Sequence, residues 1–257
     1  MEPYYFRLRD VKEFLEHYLH IYKGDYNRTR AEKVVRLFPC LIGKKVLDMG
    51  SGGGFYSLAA SKKGCKDITT LDVSHVCVKA ARLNLRKNAN LDAKGVIADA
   101  TNIPFIDECF DFIICVDLIE HIEADRKLLR EIRRVLKNSG FLVIATQNSN
   151  SLNYLLESFI QRYILKNRNW MGWDPTHVRF YTPKTLIQLL KGHGFSIIKL
   201  AGTYYIPYMA AFWFKKFNTR LSKVFYVYLH MLNRMFENRE SIALNLFGWG
   251  IMCLCQK

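Results

Sequence analysis

From residue 45 to residue 148 the chain alternates between short apolar runs and stretches whose apolar residues recur at helical spacing. No other feature narrows its fold as much. Strand-like runs are read at KVLD (45–48), DITTLD (67–72), KGVIADA (94–100), FDFIICVD (110–117) and GFLVIATQN (140–148). Between them, helices are predicted over 54–63, over 74–89 with Ser74 as N-cap, and over 124–138 with Gly140 placed to close the last turn. Such alternation builds βαβ units, so the expectation is an α/β fold: a doubly wound, mostly parallel sheet with helices on both faces.

Around this core, 44–147, the pattern changes. A helical cap is read over 1–43, and 148–180 reads as a lid insertion, with apolar positions at helical spacing in 151–169 and Arg162, Lys166 and Arg168 added. In 181–257, Thr182 and Pro183 supply the N-cap and first position of a helix, FSIIKLAGTYY is a further strand and IMCLCQK the last one. Aromatic and basic residues crowd 205–247. No repeat, low-complexity tract or linker divides the chain, so all 257 residues are expected to form one domain.

Half of the residues are hydrophobic. At this length that suffices to bury roughly 70–75% of the unfolded surface without disulfide staples. The seven cysteines, an odd number lying mostly in apolar runs with no CxxC pair, fit reduced core residues of a cytoplasmic protein better than a disulfide framework or zinc site. Charges in MEPYYFRLRDVKEF interrupt the apolar stretch that an export signal needs, and no run reaches the roughly 18 apolar residues of a spanning helix. Lys and Arg outnumber Asp and Glu by 38 to 23; this charge of +15 favours a polyanionic partner such as RNA, an anionic lipid surface or a phosphorylated substrate.

The first strand runs into KKVLDMGSGGGFYS, 44–57. Glycine-rich turns after a strand usually cradle phosphate, since bare backbone approaches the ligand closely and takes positive φ. Here the dinucleotide fingerprint GxGxxG fails, because Phe55 stands where its third glycine belongs, and a carboxylate at Asp48 repels a pyrophosphate. A cation suits Asp48 better. S-adenosylmethionine has an ammonium and a sulfonium but no phosphate. Asp48 would serve the ammonium, while Gly50, Ser51, Gly52 and Gly54 let the backbone lie against the methionyl part. Asp72 closes the second strand, where an acid accepts both ribose hydroxyls at the switch point of a doubly wound sheet; Val73 then flanks the adenine. Asp99, before Ala100, is placed either to meet the adenine amino group or to form a turn.

VLDMGSGGGFYS, TLDVS, IADATNIPF, FDFIICVDLIEHI and LLREIRRVLKNSGFLVIATQN, in this order, resemble the successive motifs of the class I S-adenosylmethionine-dependent methyltransferases. The subgroup is the one that contains the ubiquinone and menaquinone biosynthesis methyltransferases. WDPTHVRFYTPKTLIQLLKGHGF resembles the segment after the fifth strand in many of them, so the resemblance spans about residues 30–200. It implies a Rossmann-like, seven-stranded sheet whose last strand is antiparallel, S-adenosylmethionine as cofactor, and methyl transfer to a small-molecule or lipid-like acceptor that it does not name. Asp117, ending a strand beside the cofactor crevice, falls near the methionyl group.

Asp117, Glu120 and His121 in VDLIEHI share a face if a helical turn starts there. Three readings stay open. Glu120 and His121 position the loop above the cofactor, or His121 is a general base for an acceptor hydroxyl, a task suited to histidine. Alternatively the trio holds a divalent metal with His177, as in the similar ExxEH-plus-His pattern of small-RNA 2'-O-methyltransferases and some quinone O-methyltransferases. Asp117 is a shorter ligand than the first Glu of that pattern. No metal is therefore assigned, and His121 and His177 are the candidate catalytic residues, with oxygen the atom methylated.

His177 and Arg179 either meet the acceptor or anchor their loop; Trp170 and Trp173 either stack on a flat acceptor or pack the lid. The tail suits a basic amphipathic helix resting peripherally on an anionic membrane, a cover over a hydrophobic acceptor site, or a packed helix pair. Two rivals accompany the small-molecule reading. An RNA methyltransferase of the same fold would explain the charge, although no RNA-binding module accompanies it. A non-catalytic module that retains the S-adenosylmethionine pocket is the other.

Overall fold

The computed structural model describes residues 10–168, 170, 172, 174–206, 220–237 and 242–257. Helices α1 (Val11–Ile21) and α2 (Asp25–Arg36) lead into β1 (Lys45–Met49), α3 (Phe55–Lys62), β2 (Asp67–Asp72), α4 (His75–Ala89), β3 (Lys94–Ile97) and β4 (Phe110–Val116). A 3-10 turn (Ile119–His121), α5 (Asp125–Val135) and β5 (Leu136–Gln147) follow. Then come α6 (Leu152–Phe159), continued by a π turn (Ile160–Ile164), α7 (Pro183–Gly192), β6 (Ser196–Thr203), α8 (Arg220–Glu237), α9 (Ile242–Asn245) and β7 (Gly250–Gln256).

Seven strands form one sheet in the order β3-β2-β1-β4-β5-β7-β6. The first five are mutually parallel, and β7 runs antiparallel to both β5 and β6. This is the doubly wound, mostly parallel sheet expected from the sequence, last strand included. Strand order reverses between β1 and β4, and a crevice therefore opens at their C-terminal ends.

Successive side chains of each strand enter opposite layers. Leu47, Met49, Ile113 and Cys115 pack with Leu128, Leu129 and Ile132 of α5. Val46, Phe112 and Ile114 point the other way, onto Val34 of α2, Ala60 of α3 and Leu85 of α4. Leu47 and Leu129 are fully buried, so truncating either to alanine costs about 2–5 kcal/mol. Helix α7 starts where Thr182 and Pro183 predict, with a reciprocal cap: Thr182 Oγ1 accepts from the Thr185 N–H at 3.2 Å, and Thr185 Oγ1 from the Thr182 N–H at 2.9 Å. Ser74 likewise caps α4.

One cap differs from the sequence reading. α5 ends at Val135, and Gly140 lies within β5. The fully buried Leu136 is extended and already pairs with Phe110, so the backbone passes from helix straight into strand. The register then shifts between Phe110 and Phe112, and a Cβ on Gly140 would stand 2.6 Å from Leu136 Cδ1. Its glycine serves that close approach.

Asp10 caps α1, accepting from the Lys12 and Glu13 N–H groups at 2.9 and 2.8 Å. The helix packs Phe14 and Leu15 against Val76, Cys77 and Ala80 of α4. At the other end of the chain, Asn153 of α6 donates to the carbonyls of Tyr204 and Ile206, and Asn233 of α8 accepts from the Tyr205 N–H. Both helices thus hang on the segment that follows β6. Residues 207–219 and 238–241 of the aromatic and basic segment, and Trp173, lie outside the described residues. Among the described residues, no helix is long and apolar enough to cross a membrane.

Candidate active site

A cavity of about 700 Å³ lies over the C-terminal ends of β1, β2 and β4, bounded on its other side by α1 and α2. Of the sequence-predicted residues, Gly50, Gly52, Asp72, Val73, Asp99, Ala100, Asp117, His121 and His177 line it. Asp48, Ser51 and Gly54 do not.

The turn after β1 explains this division. Gly52 has φ +49, and a Cβ there would stand 2.7 Å from the Tyr18 ring, so only bare backbone fits against that ring in the cavity wall. Gly54, at φ +75, starts α3, where a Cβ would meet Ala81 Cα at 2.8 Å; it lets α3 lie against α4. Ser51 is buried, its N–H donating to the Leu71 carbonyl. Strand alternation turns Asp48 toward α3, where it accepts from Ser57 Oγ at 2.5 Å. Burial pushes its carboxyl up to about 7 in spite of that bond. Asp48 therefore stands behind the turn, bonded to Ser57, and any part it takes in holding an ammonium passes through water or the turn itself.

At one end of the cavity, Asp72 accepts from the Gly52 N–H at 3.1 Å and the Ser74 N–H at 2.9 Å. Burial raises its pKa. Asp99 Oδ1 accepts from the Thr101 N–H at 2.7 Å, so this acid forms a turn and lines the cavity at once.

At the other end, Asp117 sits at φ 52, a left-handed corner that Asp tolerates better than most residues. The 3-10 turn begins two residues later, at Ile119, which separates Asp117 from the face of Glu120 and His121. Its carboxylate is clamped by both terminal nitrogens of Arg30. Arg30, on α2, is only 4% exposed, and its Nε–H meets no acceptor. Burial alone would lower its pKa; the Asp117 carboxylate outweighs that and raises it, keeping the guanidinium charged. Tyr18, Tyr22 and Tyr56 line the cavity beside it, with Tyr22 stacked on Phe55 at 4.0 Å between centroids.

Arg30 was invisible to motif reading because 87 residues separate it from Asp117. A signal existed: it is a cation directly before Ala31 and Val34, on the buried stripe of the cap helix.

The rings of His121 and His177 lie 4.7 Å apart. The Thr176 hydroxyl donates to Asp174 Oδ1 at 2.6 Å. Toward His121 Nδ1, at 3.0 Å, it therefore accepts, as does the Thr176 carbonyl at 3.3 Å. This network assigns the proton to Nδ1 and leaves the Nε2 lone pair available. Burial alone would raise the Asp174 pKa, but the Thr176 hydrogen bonds hold it below the usual range. His177 is buried, which together with His121 lowers its pKa, and its Nδ1 meets no partner.

Glu120 is 1% exposed, and neither carboxylate oxygen meets a partner in hydrogen-bond geometry, although the Thr146 hydroxyl and its own N–H lie near enough to favour the charged form. Burial and the nearby Asp117 charge push it up to about 8. One ligand atom from each of Glu120, His121 and His177 lies within 4.8 Å of the others, a donor set suited to a divalent cation. Arg179 anchors its loop instead, pairing with Asp125 and donating to the Glu123 carbonyl. Trp170 packs against Tyr154.

A methyltransferase domain model matches residues 18–200 of the chain. The chain belongs to this methyltransferase family. It is 28% identical over 171 residues to the ubiquinone biosynthesis O-methyltransferase of Idiomarina loihiensis, covering 65% of this chain and 68% of that one. The enzyme of the same name from Thiobacillus denitrificans is 30% identical over 168 residues, covering 65% and 71%. In fold, the chain matches the S-adenosylmethionine-dependent methyltransferase of Mesorhizobium loti with a TM-score of 0.59 at 15% identity, over 89% of this chain and 98% of that one. The protein is a class I, Rossmann-like methyltransferase, and S-adenosylmethionine is its methyl donor.

Proposed function

We propose that the enzyme methylates a hydroxyl oxygen of a small or lipid-like acceptor, with His121 as general base. The observation that carries this reading is the tautomer of His121: Nδ1–H is held by Thr176, and Nε2 is left to accept a proton. Bound S-adenosylmethionine supplies a methyl group on a sulfonium, whose departure needs no acid. The residues mainly position it. Asp72 takes the ribose hydroxyls, with Val73, Asp99 and Ala100 around the adenine. Gly50 and Gly52 make room for the methionyl chain, Arg30 receives its carboxylate and Asp117 its ammonium. Asp48, Ser51 and Gly54 hold the turn in shape.

His121 then draws the proton from the acceptor hydroxyl, and the positive charge on its ring is compensated through Thr176 by Asp174. His177, packed against His121, shapes the acceptor side. Oxygen as the methylated atom accords with the two ubiquinone biosynthesis O-methyltransferases among the relatives. To test it, the protein is incubated with methyl-labelled cofactor and cell extract, which is then fractionated. Label in methyl ethers of small molecules or lipids is the expected result; label confined to RNA or protein contradicts it.

A second reading rests on the unpaired Glu120 carboxyl. Glu120, His121 and His177 fit a divalent cation by donor type and spacing, and such an ion would acidify the acceptor hydroxyl. It would occupy the lone pair that the base needs, so the two readings exclude each other. Activity that survives exhaustive chelation supports the base; activity lost to chelation and restored by a divalent ion supports the metal.

A further inference from the structure

Helix α6 and the π turn after it invert the usual surface arrangement. Their inward side chains are polar: Asn153 bonds to the carbonyls after β6, and Glu157 accepts from Gln161 Nε2 at 2.9 Å. Outward stand Leu155, Phe159, Tyr163, Ile164 and Leu165, each 50–73% exposed. Helix α8 hangs on the same segment after β6 through Asn233 and exposes Val224, Val227, Tyr228, Met231 and Met235 at 53–62%. By contrast, Leu128, Leu129 and Ile132 of α5 are fully buried. Apolar exposure concentrated on two elements this way marks an interaction surface.

Charge says what the surface meets. From Leu152 to Glu237, the span that holds all three elements, the sequence has twelve Lys and Arg and three acids. Glu157 is buried and bonded to Gln161, Asp174 is bonded to Thr176, and Glu237 is paired with Lys33. Arg162 stands exposed within the π turn, Lys166 and Arg168 are exposed just after it, and Lys223 is exposed on α8. A second copy of the chain would bring the same cations against these. An anionic bilayer satisfies both the cations and the apolar side chains, with long basic side chains reaching phosphates while their neighbours enter the acyl boundary.

We propose that α6, the π turn and α8 form a docking surface for an anionic lipid bilayer, which the chain lies on and does not span. The chain runs from this surface through Asp174, Thr176 and His177 into the cavity wall. Docking would therefore bring the acceptor side of the cavity to the lipid, a consequence that rests on the reading of that site; the docking itself requires no catalysis.

Sedimentation of the full-length protein with vesicles tests it, using phosphatidylcholine alone or with about one-third phosphatidylglycerol. Binding is expected only to the anionic vesicles, weakening with added salt. The triple variant Phe159→Ser, Ile164→Ser, Leu165→Ser should reduce it at least about tenfold. Lys166→Glu with Arg168→Glu should reduce it more than about tenfold, at roughly fivefold for each cation removed. Both variants should keep the wild-type affinity for S-adenosylmethionine measured without vesicles, which shows that they fold. The proposal is overturned if wild-type protein stays in the supernatant with both vesicle types, or if the variants sediment undiminished. It is equally overturned if the triple variant's only effect is loss of a dimer in analytical ultracentrifugation. Vesicle binding by a protein that fails to bind S-adenosylmethionine would sink the enzymatic reading and leave docking standing.

Discussion

The Asp72 end of the cavity, proposed as the adenosine end, and the His121 end, proposed as the reacting end, are held together over very different distances along the chain. At the adenosine end, Gly52 bonds to Asp72 twenty residues on, and Asp72 and Asp99 bond to backbone two residues on. At the reacting end, Arg30 reaches Asp117 across 87 residues and His121 reaches Thr176 across 55. The first end is built by the C-terminal ends of β1, β2 and β3, which are neighbours in the sheet. The second exists only when the N-terminal cap and the 148–180 segment have both docked. The Asp72 end of the cavity is thus a property of the sheet, whereas the Arg30–Asp117 pair and the acceptor chemistry depend on what has been packed onto it.

Breaking each end separately should show this. The largest effect is expected from Gly52→Val, which puts a branched side chain at positive φ against the Tyr18 ring and into the cavity. Calorimetry should find no S-adenosylmethionine binding while circular dichroism stays native. His121→Gln should lower kcat by about 10²–10⁴-fold, the usual contribution of a general base, and leave the cofactor Kd unchanged. Arg30→Leu straddles the two ends. It removes the proposed partner of the cofactor carboxylate and leaves Asp117 without Arg30, so the cofactor Kd should rise roughly ten- to a hundredfold, as expected for loss of a charged hydrogen bond.

The last effect concerns stability and leaves both ends of the cavity intact. Asp48 and Glu120 are raised from their ordinary 3.8 and 4.5 to about 7 and about 8. Between those values the folded chain binds more protons than the unfolded one, so stability falls as pH rises. Their contribution is full below about pH 4 and gone above about pH 8. The Tm of the ligand-free protein should decline across that window. Glu120→Gln should flatten the upper part of the decline, and an unchanged slope in that variant would place the titration elsewhere.

How much of this was legible depended on chain distance as well. Strand alternation and the glycine turn announced the sheet, and acids at the ends of β2 and β4 announced the cavity, because each signal lies within one βαβ unit. Asp48 was placed on the cavity because a strand-end acid beside glycines looks accessible. Which face a strand residue takes is decided by its neighbours in the layer, here Val46 and the Ser57 hydroxyl. The Gly140 cap failed for a related reason: the buried Leu136 had been drawn into the sheet. Arg30 and the Thr176–Asp174 support of His121 were out of reach, since no local pattern couples α2 to the end of β4 or the 3-10 turn to the loop before α7.

Single-turnover methyl transfer measures the central claim most directly. Wild-type enzyme and His121→Gln, each saturated with methyl-labelled S-adenosylmethionine, are mixed with the small-molecule and lipid fractions of cell extract after exhaustive chelation, and O-methyl product is followed. The account predicts methyl ether formation by the wild type and a loss of about 10²–10⁴-fold in rate in the variant at equal cofactor occupancy. Equal rates in the two proteins, or a wild type that transfers label only after a divalent ion is restored, would contradict it.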